Sequence, residues 1–324
     1  MSNVLITDYI TNPDIENNVF KDTNYKVVTF RENFDKSQVE GLLVWHEIID
    51  SKFLDDYPNL KFIQRYGVGC DNIDFGQVKM RNLILCNTPD YGVDEVSDTT
   101  VGMILGLTRS IYRYDIKSKT IDDGTWQENI FKEIKRSSEI KVGILGAGRI
   151  GGRVIIKCKH LGFQTSFYDP FISRGMDKTY GAYRFDSIED FISENDVISI
   201  NATQTDSSFH LVNEEFISKM KHGSYLINTA RGKIIKDLDA FINPIREEKI
   251  LGLGLDVLPD EPPKNSKLIE SWKKSEPWLK NRVIINPHAG YYSKSSWLEM
   301  RMKSAENVLR FLNSGEYYSV VCKA

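Results

Sequence analysis

Through residue 98 the chain alternates short apolar runs with polar, helix-compatible stretches. The runs are Val4-Leu5-Ile6, Val27-Val28, Leu42-Leu43-Val44, Phe62-Ile63 and Leu83-Ile84-Leu85. This rhythm predicts a parallel sheet with crossover helices. A helix-like stretch follows from Glu95 through Val101, Ile104 and Leu105 to Tyr112, and then a polar stretch containing Trp126. From 140 to 290 the alternation resumes, with strands expected at Ile140–Leu145, Thr165–Tyr168, 197–201, 224–229, 251–257 and 282–286. A last amphipathic helix is expected from Ser296 to Leu312, with Leu298, Ala305, Leu309 and Leu312 on one face and Gly315 as its stop. Pro244 falls inside the helix expected from Asp237 to Glu248. A kink or break is expected there, because an interior proline costs about 3 kcal/mol.

One of these strand-to-helix joints carries chemistry. Gly146-Ala147-Gly148-Arg149-Ile150-Gly151 ends the run Ile140–Leu145 and opens a helical pattern of Ile150, Val154, Cys158 and Leu161. Asp169 closes the next strand-like run, eighteen residues past the third glycine. A bare G-x-G-x-x-G is a weak signal, but with a strand before it, a helix after it and an acid at this distance it is specific. The first glycine permits a tight turn, the second lets backbone approach a pyrophosphate, and the third lets helix and strand pack closely. The helix N-terminus offers unpaired amides to the phosphates. Asp169 suits ribose hydroxyls and repels a 2′-phosphate, so NAD is favoured over NADP. The fingerprint begins near 141, so a separate α/β domain precedes it.

Composition narrows the setting. With 324 residues, 41% of them hydrophobic, the chain has enough apolar content for two domains. A net charge of −3 without a basic block argues against nucleic-acid binding. No apolar run reaches membrane-spanning length, and Met1 to Asp8 turns polar too early for a signal peptide. Cys70, Cys86, Cys158 and Cys322 show no C-x-x-C spacing. That suits structural thiols in a reducing cytoplasm better than a disulfide framework or a zinc site, and no metal is expected.

Three further strand ends each carry a reactive residue. Arg231 follows Tyr225-Leu226-Ile227-Asn228, Glu261 follows Leu255-Asp256-Val257, and His288 follows Val283-Ile284-Ile285. Ligands bind at the carboxyl ends of strands in a doubly wound sheet, so the three should converge. A guanidinium grips a carboxylate bidentately, an imidazolium donates a proton, and a neighbouring carboxylate favours the charged imidazole. Singly, each has a plain alternative as an ion-pair arginine, a turn acid and a turn histidine. Together they form a set for hydride chemistry on a 2-oxo acid.

These residues resemble the D-isomer-specific 2-hydroxyacid dehydrogenase family over nearly the whole chain. Arg65-Tyr66-Gly67-Val68-Gly69-Cys70-Asp71-Asn72-Ile73-Asp74 resembles its substrate loop, and Asn87-Thr88-Pro89-Asp90-Tyr91-Gly92-Val93-Asp94-Glu95-Val96 its interdomain crossing. Asn228-Thr229-Ala230-Arg231-Gly232, Leu255-Asp256-Val257 through Glu261-Pro262, and Pro287-His288-Ala289-Gly290 resemble its catalytic segments. The resemblance implies an α/β chain of two doubly wound parallel-sheet domains. A Rossmann NAD domain at 99–293 would be inserted into a flavodoxin-like substrate domain at 1–98 and 294–324. It implies Arg231, Glu261 and His288 as catalytic residues. Gly146, Gly148, Arg149, Ile150, Gly151, Asp169, Thr205, Thr229, Ala230 and Asp256 would contact the cofactor, and Trp45, Arg65, Val68, Gly69 and Tyr291 the substrate. Trp45 and His46 suit a pocket wall and a core equally, Arg65 suits ion pairing as well, and Tyr291 suits packing. A homodimer built around 99–139 is also implied.

Glu261-Pro262-Pro263, the Trp272–Trp278 insertion and His288-Ala289-Gly290-Tyr291-Tyr292-Ser293 resemble the C-terminal-binding-protein-like branch. Departures lie around the cofactor pocket: Thr203-Gln204-Thr205 stands where Pro-Leu-Thr is usual, and Asn201 and Thr99 each replace a common histidine. Two other functions fit the same residues. One is an NAD(H)-sensing, corepressor-like binding protein, against which the lack of long tails counts. The other is a dehydrogenase of an unusual acid such as a phosphonate.

Overall fold

The computed structural model describes residues 2–119 and 126–324. Two compact units divide the chain: Met1–Gly92 with Tyr292–Ala324, and Val93–Tyr291. Residues 120–125 of the expected dimer arm lie outside the described residues.

The first unit opens with β1 (Ser2–Ile6), β2 (Tyr25–Thr29), β3 (Val39–Val44), β4 (Phe62–Arg65) and β5 (Ile84–Cys86). The second holds β6 (Lys141–Leu145), β7 (Gln164–Tyr168), β8 (Tyr183–Phe185), β9 (Val197–Ile200), β10 (Ser224–Asn228), β11 (Ile250–Leu255) and β12 (Val283–Ile285). The chain then returns to the first unit through β13 (Val320–Lys323). The first sheet runs β13-β5-β4-β3-β1-β2, with only β13 antiparallel. The second is parallel throughout and runs β12-β11-β10-β9-β6-β7-β8. Both are doubly wound. Strand order in the second reverses between β6 and β9, which is where such sheets open a ligand crevice. Helices cover both faces, so β9 and β10 are buried at every residue.

Three local expectations change. The helix expected from 95 to 112 is two helices, Val93–Thr108 and Ile111–Ser118, joined through Ser110 at φ 51°. The reversal lays the Tyr112 ring over Gly106, where a β-carbon would overlap it. The helix expected from 237 to 248 is a 3-10 turn, Leu238–Phe241, followed by a short helix, Ile242–Arg246. Pro244 sits in the first turn of that short helix, where no intrahelical amide bond is lost. Strands β8 and β13 were not expected at all.

The C-terminal helix Lys294–Ser314 departs most from its apolar pattern. Leu298 is 48% exposed, while Arg301, Ser304 and Asn307 are buried beside Met300, Ala305 and Val308. Each buried polar side chain has a partner. Arg301 donates to both oxygens of the fully buried Glu16, at 2.9 and 2.5 Å, and Tyr66 donates to the same carboxylate at 2.8 Å. Ser304 bonds Thr88 at 2.8 Å, and Asn307 donates to Gln64 at 2.8 Å. Phe62 of β4 stacks on Phe311 at 4.6 Å. The helix is thus keyed to β4, to the segment just past β5 and to the helix Asp14–Val19 by hydrogen bonds as well as by apolar contact.

Arg301→Ala would strand the Glu16 carboxylate in the interior. Removing one member of a buried pair costs about 3–5 kcal/mol. A denaturant titration should show a loss of that size with an unchanged slope; a loss below about 1 kcal/mol would mean that Glu16 reaches water.

Candidate active site

The turn after β6 is built by its glycines. Gly146 has φ 89°, and a β-carbon on Gly151 would overlap the Gly146 carbonyl oxygen. Nothing lies within 4 Å of where a Gly148 β-carbon would stand. The helix Arg149–His160 begins there, with the amides of its first turn lacking intrahelical acceptors. Open space, close backbone and unpaired amides suit a pyrophosphate. Asp169, just past β7, accepts the Ala147 amide at 2.9 Å on one oxygen and the Phe171 and Ile172 amides at 2.9 and 3.2 Å on the other. Its carboxylate is therefore fixed beside the glycine turn, as a ribose-binding acid requires. The residues present fit a dinucleotide.

Arg231, Glu261 and His288 follow β10, β11 and β12, which are neighbours in the sheet. Asn228 shapes the first turn: its side chain donates to the Arg231 carbonyl at 2.9 Å and accepts the Ala230 amide at 3.0 Å. Arg231 donates to the Ala230 carbonyl at 2.7 Å. A β-carbon on Gly232 would overlap the Leu258 carbonyl, so glycine there lets the turns after β10 and β11 touch. Glu261 accepts the Leu258 amide at 2.8 Å with one oxygen and meets His288 Nδ1 at 2.8 Å with the other. Burial pushes the Glu261 carboxyl up. The hydrogen bond and charge of His288, the Leu258 amide and the Arg231 charge outweigh it and hold the group below the usual carboxylate range.

The turn carrying His288 depends on Asp256, which is 2% exposed. The Asp256 carbonyl accepts the His288 amide at 2.8 Å. Its carboxylate accepts the Ala289 amide at 3.1 Å and the Gly290 amide at 2.9 Å. His288 itself has φ 55°, a left-handed conformation uncommon outside glycine. Burial pushes the Asp256 carboxyl up, opposed by the Gly290 amide, the His288 charge and the Ala289 amide. Thr229 is similarly engaged inside the protein, with Thr100 at 2.7 Å and Asn201 at 3.4 Å. The two histidine replacements are thus structural partners here: Asn201 reaches Thr229, and Thr99 donates to the Gly290 carbonyl at 3.2 Å. Thr205 lies in the loop after β9, where the Ser208 hydroxyl accepts its amide at 2.8 Å.

Trp45 and Arg65 stand at the carboxyl ends of β3 and β4. The Arg65 guanidinium lies 5.9 Å from the Trp45 ring centre, and Val68 and Gly69 follow in the loop. Trp45 is 6% exposed and stacks on Tyr9 at 5.4 Å, so it is a core residue that also fronts an aromatic cluster with Trp297. Tyr291 is the last residue of the second unit. Sequence reasoning missed Asn228 and Tyr9. Asn228 had a usable signal, since an asparagine two residues before a functional turn is a common backbone clasp.

The family model of the D-isomer specific 2-hydroxyacid dehydrogenase NAD binding domain matches residues 101–290. The chain is 32% identical over 268 residues to a glyoxylate reductase of Thermofilum pendens, covering 82% of this chain and 74% of that one. It is 28% identical to a glyoxylate reductase of Korarchaeum cryptofilum, over 81% and 76% of the two chains. Among solved structures, the D-lactate dehydrogenase of Aquifex aeolicus, complexed with NAD and lactic acid, superposes with a TM-score of 0.82. It is 28% identical, and the match covers 99% of this chain and 100% of that one.

Glu261→Gln should separate the carboxylate's charge from its shape. Glutamine keeps an oxygen for the Leu258 amide but lacks the charge that faces His288 at 2.8 Å, so kcat of any His288-dependent reduction should fall about 10²-fold with KM little changed. The measurement is kcat and KM for both proteins with chemistry rate-limiting. An unchanged kcat would remove Glu261 from this role.

Proposed function

The chain belongs to the D-isomer-specific 2-hydroxyacid dehydrogenase family, and from that premise we propose that it interconverts a 2-oxo acid and a D-2-hydroxy acid with NAD. The observation that carries the reading is the 2.8 Å His288–Glu261 pair, with the Arg231 charge acting on the same carboxylate. NAD, when bound, accepts or supplies the hydride. The glycine turn and the amides after it would hold its pyrophosphate, and Asp169 its adenosine ribose. Arg231 grips the substrate carboxylate with its planar fork and polarises the 2-oxo oxygen. Glu261 occupies His288 Nδ1, which leaves Nε2 as the ring nitrogen that gives the carbonyl oxygen its proton in reduction and takes it back in oxidation. Asp256 and Thr229 support these groups from behind. We assign substrate contact also to Trp45, Arg65, Val68, Gly69 and Tyr291, and cofactor contact to Arg149, Ile150, Ala230 and Thr205. The nucleotide-binding domain is taken as 99–293 and the substrate domain as 1–98 with 294–324.

We also propose a cytoplasmic homodimer. Ile111, Tyr112 and Ile116 of the helix Ile111–Ser118 are 54, 47 and 43% exposed, an apolar face that a second copy would cover. Four free, buried cysteines suit a reducing compartment. Light scattering at micromolar concentration should give twice the chain mass; a monomer would overturn the dimer.

A panel of 2-oxo acids with NADH, followed at the nicotinamide absorbance, tests the activity itself. At least one acid should turn over, and NADH should serve better than NADPH. His288→Ala should lower turnover about 10²–10⁴-fold, while Arg231→Lys should damage KM and kcat together, because lysine lacks the planar fork. An active panel insensitive to His288→Ala would reject the assignment.

A further inference from the structure

The glycine segment contains one glycine more than a dinucleotide fingerprint needs. After Gly146, Gly148 and Gly151 comes Gly152, one residue deeper in the helix Arg149–His160. Its neighbour explains it. A β-carbon on Gly152 would stand 2.6 Å from the Tyr180 hydroxyl oxygen and 2.7 Å from the ring carbon that bears it. Only glycine lets this phenol reach over the helix. What it reaches is the Ala147 carbonyl, to which Tyr180 donates at 2.9 Å.

Ala147 is the residue between the first two glycines of the fingerprint, and its peptide groups are gripped from both sides. Its carbonyl takes the Tyr180 hydroxyl, and its amide donates to Asp169 at 2.9 Å. The other Asp169 oxygen is held by the Phe171 and Ile172 amides, and the Asp169 carbonyl accepts Arg184 at 3.0 Å. Tyr180 is fixed in turn. It ends the short helix Met176–Tyr180, is followed by Gly181 in a left-handed cap, and sets its ring edge-on to the buried Phe167 at 6.0 Å.

We propose that Tyr180 is a positioning residue for the dinucleotide: by holding the Ala147 carbonyl while Asp169 holds the Ala147 amide, it fixes the phosphate-facing turn against the Asp169 carboxylate, and so tightens NAD binding and its preference over NADP. The phenol is suited to the task. Burial and the charge of Asp169 both push its pKa up, so it remains a donor at neutral pH. Gly152 and Tyr180 form one device, since either is without purpose at its position if the other changes. The inference deepens the NAD-binding reading and rests on it.

The test is fluorescence titration of the full-length protein with NADH and with NADPH, alongside a melting curve. Tyr180→Phe removes only the hydroxyl. NADH should bind about three- to tenfold more weakly, the worth of one lost hydrogen bond. NADPH should change by less than about twofold, so the discrimination ratio narrows, and the melting temperature should move by no more than about 4 °C. Gly152→Ala displaces the ring and should narrow the ratio in the same direction. Unchanged NADH affinity in Tyr180→Phe would overturn the proposal. So would equal weakening of both nucleotides with a larger loss of melting temperature, because that is the signature of a brace without selective effect. Asp169→Ala separates the two levels. If it leaves the ratio unchanged, the ribose-binding reading of Asp169 fails. If it narrows the ratio while Tyr180→Phe does not, only the role of Tyr180 is lost.

Discussion

The half of the second unit that carries Arg231, Glu261 and His288 depends on one buried carboxylate. Asp256 directly follows β11 and collects the backbone amides of residues 289 and 290, which follow the neighbouring strand β12. A carboxylate this deeply buried is unfavourable unless donors surround it, and the donors here are the turn that carries His288. The same interaction that relieves Asp256 therefore holds His288 in its left-handed conformation. The His288–Glu261 pair then follows from sheet register: β11 and β12 run side by side, Leu255 opposite Ile285, so the segments leaving them emerge together. Glu261 needs no separate anchor, because the Leu258 amide of its own turn fixes its second oxygen.

Legibility of the chain followed how strictly physics limits each position. The glycine turn after β6 was readable because so tight a strand-to-helix joint admits only glycine, and the meeting of Glu261 and His288 because neighbouring parallel strands bring their carboxyl ends together. Strands such as β1, β3 and β9 were readable because parallel strands buried on both faces become plain apolar runs. The C-terminal helix was misread for the opposite reason. Periodicity arguments assume that a buried face is apolar, whereas Arg301, Ser304 and Asn307 are buried because Glu16, Thr88 and Gln64 wait for them far away in sequence. No local pattern reports a partner 285 residues distant. The split at Ser110 was hidden likewise, since the contact that rewards it, Tyr112 over Gly106, exists only after the chain has turned. β8 is Tyr183-Arg184-Phe185, with an arginine at its centre and no residue buried, so no apolar run marks it.

Asp169 was legible as an acid placed beside the glycine turn, but its three amide donors were not, and they change what the residue is. An acid at the end of a strand is a charge on a mobile stem. An acid with both oxygens engaged by backbone is a fixed element of the site. Asp256 and Glu261 follow the same rule, each receiving at least one backbone amide. Backbone donors move only when the chain moves, so the site's geometry is inherited from the sheet rather than chosen by side-chain rotamers.

The His288–Glu261 pair and the glycine turn share this economy but differ in how far each must reach. His288 and Glu261 need only adjacent strands, since one hydrogen bond joins the segments they end. The glycine turn draws on β6, β7 and the short helix before β8, and Ala147 ties them together, its amide held by Asp169 and its carbonyl by Tyr180. A peptide plane is rigid, so a force on its carbonyl is felt at the amide of the same unit but not at the amide of the same residue, which lies across two soft dihedrals. Anchoring both the amide and the carbonyl of Ala147 removes that softness. With the tight turn at Gly146 fixing the chain just before it, the residue has no remaining freedom with which to misplace the phosphates.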